Sequence, residues 1–112
     1  MDTFIMLTRV SHEEMRSPQG LASLEQQVMA QVRSQCPEVS WLHSYAVLGP
    51  YDYLDIFEAP NVAAAMRVAT LIRTFGHADS EVWPATAWGA FKEMLYEMPR
   101  EAGEHVPAVG AH

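Results

Sequence analysis

The apolar positions change their spacing from segment to segment, and each change marks a new element. Thr3–Val10 (TFIMLTRV) is a short β-branched and aromatic run that gives way to the polar SHEEMRS, the pattern of a strand entering a loop. After Ser17 the apolar residues Leu21, Leu24, Val28 and Val32 step by three, four and four, while Glu25, Gln26, Gln27, Gln31 and Arg33 fall mainly off that stripe. This is a helix with one apolar face, and it runs to about Gln35. Ser17 is its N-cap, Pro18 suits the first helical position because the missing N–H has no intrahelical partner there, and Pro37 ends it.

Val39–Leu48 (VSWLHSYAVL) and Tyr51–Ala59 (YDYLDIFEA) read as two strands joined through Gly49-Pro50, a hairpin. Ala59-Pro60-Asn61 terminates the second strand and caps a helix over Val62–Phe75, with Ala63, Arg67, Thr70 and Thr74 on its more polar side and Gly76 at the C′ position. Asp79–Ala85 is a fourth strand, in which Pro84 is tolerated only at an edge or strand end. Trp88–Met98 is a short helix stopped by Pro99.

The order βαββαβ plus a C-terminal helix predicts an α+β, ferredoxin-like plan, with two helices on one face of a four-stranded antiparallel sheet. The other face is left open, and closing it against a second copy would form a dimeric α+β barrel, so a homodimer is expected. Residues 1–98 form the expected domain. Residues 99–112 lack both periodicity and apolar content and are expected to be a flexible tail.

At 112 residues the chain fits one core, and its 49% hydrophobic content separates it from disordered sequences. Seven Lys and Arg against fourteen Asp and Glu give a net charge of -7, and the basic residues are scattered. Such a field repels phosphate backbones and anionic lipid, so neither nucleic acid nor membrane is an expected partner. Cys36 is the lone cysteine, and the N-terminal segment lacks the basic start and apolar stretch of a signal peptide, which together point to a cytoplasmic protein.

Chemistry concentrates in the hairpin. Alternation puts Trp41, His43, Tyr45 and Val47 on one side of its first strand, and separates Tyr53, Asp55 and Phe57 from Asp52, Leu54, Ile56 and Glu58 in its second. An odd loop, or a bulge at Gly49-Pro50-Tyr51, gathers Trp41, His43, Tyr45, Tyr53, Asp55 and Phe57 on one barrel-lining face, which is the favoured register. A two-residue turn would instead place Asp55 with Leu42 and Leu48. His43, an imidazole that can accept and donate a proton, and Asp55, a carboxylate in mid-strand, are the candidate catalytic pair. Each also has a plain structural reading, as an interior histidine and as one half of a buried ion pair with Arg9 or His43.

Trp41, Tyr45, Tyr53, Phe57, Glu81 and Trp83 are the candidate ligand-binding residues, although aromatic walls serve packing equally well. His12, Glu13 and Glu14, and later His77, Asp79 and Glu81, lack the spacing of a metal site, and no phosphate-binding glycine loop is present, so neither metal nor cofactor is expected.

The stretch LGPYDYLDIFEAPN (Leu48–Asn61) resembles the signature of the GYD domain family, whose Gly, Tyr and Asp are matched by Gly49, Tyr51 and Asp52. The EAP of Glu58, Ala59 and Pro60, the Ala-rich helix and HADSEVWPA extend the likeness over roughly residues 2–97. Where the family carries Arg-Thr-Glu-Thr, this chain has Asp79-Ser80-Glu81-Val82, keeping the acid and reversing the sign of the arginine. The resemblance implies a dimeric α+β barrel, an architecture shared with isomerases, cofactor-free monooxygenases and ligand-binding regulatory domains.

Three functions fit the sequence. The first is a small-molecule-binding or sensing domain with a polar-aromatic pocket. The second is a cofactor-independent enzyme, isomerase or monooxygenase-like, with His43 as base. The third is a structural dimerisation module without a ligand.

Overall fold

Phe4, Met6, Thr8 and Val10 project from the first strand toward the helices, and around this row the described residues, 1–11 and 17–99 of a computed structural model, are organised. The elements are β1 (Asp2–Val10), α1 (Pro18–Gln35), β2 (Ser40–Ala46), β3 (Tyr53–Ala59), α2 (Val62–Gly76), β4 (Ala78–Ala85) and α3 (Trp88–Glu97). The strands form one antiparallel sheet in the order β2-β3-β1-β4, the ferredoxin-like arrangement expected from the element order. Pro84 lies near the end of the edge strand β4. The His12-Glu13-Glu14 segment and residues 100–112 lie outside the described residues.

Local chemistry starts each helix where the sequence predicts. Ser17 Oγ accepts the Gly20 N–H at 3.0 Å with Pro18 following, and Asn61 Oδ1 accepts the Ala64 N–H at 2.9 Å. The end of α2 differs from expectation. Gly76 is its last helical residue, and His77 takes the left-handed conformation at φ 50°. Gly76 instead serves packing, because a Cβ there would stand 3.3 Å from Val28 Cγ2 of α1. The missing side chain lets the two helices close at this point.

The core lies between the sheet and the helices. Phe57, fully buried, stacks with Phe4 at a centroid distance of 5.6 Å and with Trp41 at 5.0 Å, and Ala64, Ala65, Val68 and Ile72 of α2 cover the sheet. Val28 and Val32 of α1 join this core, whereas Leu21 and Leu24, on the same stripe, are only half-buried. The sheet-facing side of α1 is therefore sealed at its C-terminal half and open at its N-terminal half. Cys36 is free and buried, and burial raises its thiol pKa, with Glu38 adding to the rise, so it is an inert core residue.

The hairpin register corrects the favoured expectation. Ser44 pairs with Asp55, Tyr45 with Leu54 and Ala46 with Tyr53, while Trp41 pairs with Phe57 and His43 with Ile56. The irregularity lies at Leu42, between Trp41 and His43, and not in the Gly49-Pro50-Tyr51 turn. One extra residue in β2 reverses the alternation there, so Trp41 and Ser44, three apart, face the same way. Trp41, Tyr53, Asp55 and Phe57 thus face the helices, and His43 and Tyr45, stacked at 6.1 Å, face the open side.

Candidate functional site

The turn that carries Gly49, Tyr51 and Asp52 is a fastening between the hairpin and the rest of the sheet. Gly49 has φ 141°, a conformation that side-chain-bearing residues rarely adopt. Asp52 makes three bonds. Its Oδ2 accepts the Val10 N–H at 2.8 Å, its own N–H donates to the Thr8 carbonyl at 2.8 Å, and its carbonyl accepts the Val47 N–H at 3.0 Å. Arg9 Nε donates to the Pro50 carbonyl at 2.7 Å, and its guanidinium lies 5.1 Å from the centroid of the Tyr51 ring. The Tyr51 hydroxyl donates to Glu81, and Trp83 Nε1–H donates to the same carboxylate at 3.2 Å. These two donors hold the Glu81 carboxyl below its usual pKa, and the hydrogen bond to Glu81 raises that of Tyr51. Glu81 and Trp83 belong to this exposed fastening on the open side of β4.

On the opposite face, the half-buried end of α1 roofs a cavity of about 280 Å³. Leu21, Leu24, Val28 and Met29 come from α1, Ile72 from α2, and Trp41, Tyr53 and Asp55 from the hairpin. Glu25 stands on the α1 rim. Tyr45 contributes to the rim at the free edge of β2, although its ring stacks with His43. Phe57 sits beneath as core.

Three polar features mark this space. Trp41 Nε1–H is shared between Ser44 Oγ at 2.8 Å and Asp55 Oδ1 at 3.2 Å, which fixes the indole and the carboxylate together. Burial raises the pKa of Asp55; hydrogen bonds from Ser44 and Trp41 act against the rise, and the charge of Glu25 adds to it. Thr8, one of the lining residues, is only 5% exposed, and its hydroxyl has no hydrogen-bond partner among the described residues. Its cross-strand neighbour Ser80 has another such hydroxyl, outside the lining. A buried hydroxyl left unpaired costs about 1–3 kcal/mol.

The structure therefore brings Trp41, Tyr53 and Asp55 into one cavity and leaves His43 exposed on the other face. Within one chain the expected His43–Asp55 pair is not assembled, because the Leu42 bulge and the even register of Ser44–Ala46 put the sheet between them. Sequence reasoning missed Thr8, Ser44 and Glu25. The signal available for Glu25 was its place one residue after Leu24 in the apolar stripe.

Asp55 also makes a pH prediction. The protonated carboxyl is favoured in the fold, so its stabilising contribution is fully present below the unfolded carboxyl pKa and is lost as pH rises through the raised folded value. Asp55→Asn keeps an acceptor for Trp41 and removes the charge. The variant is expected to melt at higher temperature than the parent at neutral pH, with the difference closing in acid. Thermal melts across that range check this, and a less stable variant at neutral pH would contradict it.

Among the described residues, no group of three His, Cys, Asp or Glu side chains converges as a metal site, and no helix is long and apolar enough to cross a membrane. A model of the GYD domain matches residues 4–95. No curated protein matches the chain. Among solved structures, the crystal structure of FFRP-DM1 aligns with a TM-score of 0.53 at 20% identity, covering 77% of this chain and 100% of that one. A hypothetical protein, PHS023, from Pyrococcus horikoshii aligns at 0.49 and 21% identity, covering 78% and 92% respectively. The first of these likenesses supports the fold.

Proposed function

Because the chain belongs to the GYD domain family, a membership that supplies a fold and no reaction, we propose its function from the cavity: it is a small-molecule-binding domain whose site lies between α1 and the sheet. The observation that carries this reading is a mostly apolar cavity that holds the partly desolvated Asp55 carboxylate. A purely structural module needs no carboxylate at this place, since an apolar side chain would avoid the desolvation cost. The enzyme reading is weaker, because a base needs its substrate within hydrogen-bond reach and His43 faces away from the cavity.

The test is an amide-resolved NMR titration with a library of small aromatic and aliphatic compounds, run on the parent chain and on Leu24→Trp, which fills the cavity. Shifts centred on Thr8, Ser44 and Tyr53 in the parent, absent in the variant, are expected. Equal responses in both proteins, or shifts centred on His43, would overturn the proposal.

The binding domain works as a homodimer in this proposal, formed through the open sheet face. Ile5, Leu54 and Ile56 lie on that face and are only half-buried within one chain. The ten-residue α3 has no buried residue and exposes Trp88, Phe91, Met94, Leu95 and Tyr96. Helices this short are marginal in water without tertiary packing, so α3 needs a cover that the described residues of its own chain do not provide. A self-complementary apolar face with such a helix at its margin fits a second copy. Sedimentation velocity at micromolar concentration is expected to give the mass of two chains, and a single-chain mass would contradict the assembly.

A further inference from the structure

The charge and hydrogen-bonding character of the cavity restrict what it accepts, and this restriction rests on the binding reading above. Two carboxylates, Asp55 inside and Glu25 at the rim, face the space, and among the described residues no Lys, Arg or His lines it. The indole N–H of Trp41 is already committed to Ser44 and Asp55. What remains available is rich in acceptors: the rest of the Asp55 carboxylate, Glu25 and the Tyr53 hydroxyl. A ligand carboxylate or phosphate entering here would meet like charge and no cation. A donor-bearing cation would meet the reverse.

The walls agree with this polarity. Leu21, Leu24, Val28, Met29 and Ile72 offer an apolar body site, while the rings of Trp41 and Tyr53 flank Asp55 and suit the approach of an ammonium group. A volume of about 280 Å³ lies at the small end of ligand sites, so the occupant is small. We propose that the cavity is a site for a small primary amine, its ammonium held between the Asp55 and Glu25 carboxylates, and its aromatic or branched aliphatic body seated under α1.

Such a ligand explains why a carboxylate is kept in a place where burial disfavours its charged form. The ammonium supplies the counter-charge that the fold omits, and Glu25 adds attraction at the entrance. Anionic metabolites are excluded by the same arrangement.

Three probes of nearly equal size separate the possibilities: 2-phenylethylamine, 2-phenylethanol and phenylacetate, titrated calorimetrically into the full chain at neutral pH and low salt. The amine is expected to bind roughly tenfold or more tightly than the alcohol, as befits a charge-assisted hydrogen bond, and phenylacetate not measurably. Asp55→Asn is expected to remove that preference, lowering amine affinity by about tenfold while leaving the alcohol within about twofold. Glu25→Gln, at an exposed position that cannot disturb the core, is expected to weaken the amine by a smaller factor. Alcohol binding equal to or tighter than amine binding would overturn the ammonium assignment and leave the cavity as a neutral-ligand site. Failure of all three probes to bind the parent chain would overturn both the assignment and the binding reading beneath it.

Discussion

Phe57→Ala is expected to destabilise the chain by about 3–5 kcal/mol, the cost of deleting a large buried ring whose surroundings collapse only in part. Phe57 has no exposed surface and holds Phe4 on one side and Trp41 on the other. Removing it takes away the support of the Trp41 indole, and with it the hydrogen bonds that orient Ser44 and Asp55. Urea unfolding is expected to show a large drop in midpoint with little change in slope. A loss below about 1 kcal/mol, far under the range for buried aromatics, would show that the three stacked rings are not the centre of the core.

Asp52→Ala is expected to cost about 1.5–3 kcal/mol, the range for hydrogen bonds to charged groups, because it orphans the Val10 N–H at the point where the hairpin turn is fixed to β1. The two backbone bonds of Asp52 remain chemically possible in the variant but lose the side chain that holds the turn in place. Asp52→Asn, which keeps an acceptor, is expected to lose less than the alanine variant in the same urea experiment. Equal stability of Asp52→Ala and the parent would contradict the fastening role. Together with the positive φ of Gly49 and the Tyr51–Glu81 bond, this role accounts for the Gly-Tyr-Asp group by architecture, without a reaction.

The separation of His43 from Asp55 shapes the functional reading more than any other feature. A carboxylate inside an apolar cavity and an imidazole on the opposite sheet face are two different devices. The first can hold a ligand, and the second lies where a partner copy would pack. In the proposed homodimer, His43 and the Arg9-Tyr51-Glu81-Trp83 group would meet the interface, and the cavity of each copy would remain on the outer, helix-covered side.

Element order, the N-caps of α1 and α2 and the open sheet face were legible in the sequence because each rests on local chemistry: Ser17-Pro18, Asn61, the three-and-four spacing of α1, and strand runs bounded by Gly and Pro. The register was not legible. It depends on where a single extra residue is accommodated, and the stacking of Trp41 on Phe57, a long-range contact, places that residue at Leu42 and not in the turn. Since alternation has a period of two, this one displacement moved His43 and Tyr45 to the face opposite Trp41 and Asp55. The cavity was hidden for a related reason. Its volume exists because α1 closes on α2 at Gly76 and Val28 and stands open above Leu21 and Leu24, a consequence of helix packing that no residue in α1 announces by itself.

A crystal structure of the full chain soaked with 2-phenylethylamine tests the account most directly. The predicted result is density between α1 and the helix-facing side of the sheet, with the ammonium within hydrogen-bond distance of Asp55 and the ring among Leu24, Val28 and Met29. Density lying against His43 on the open face, or a cavity already filled by protein side chains, would contradict it.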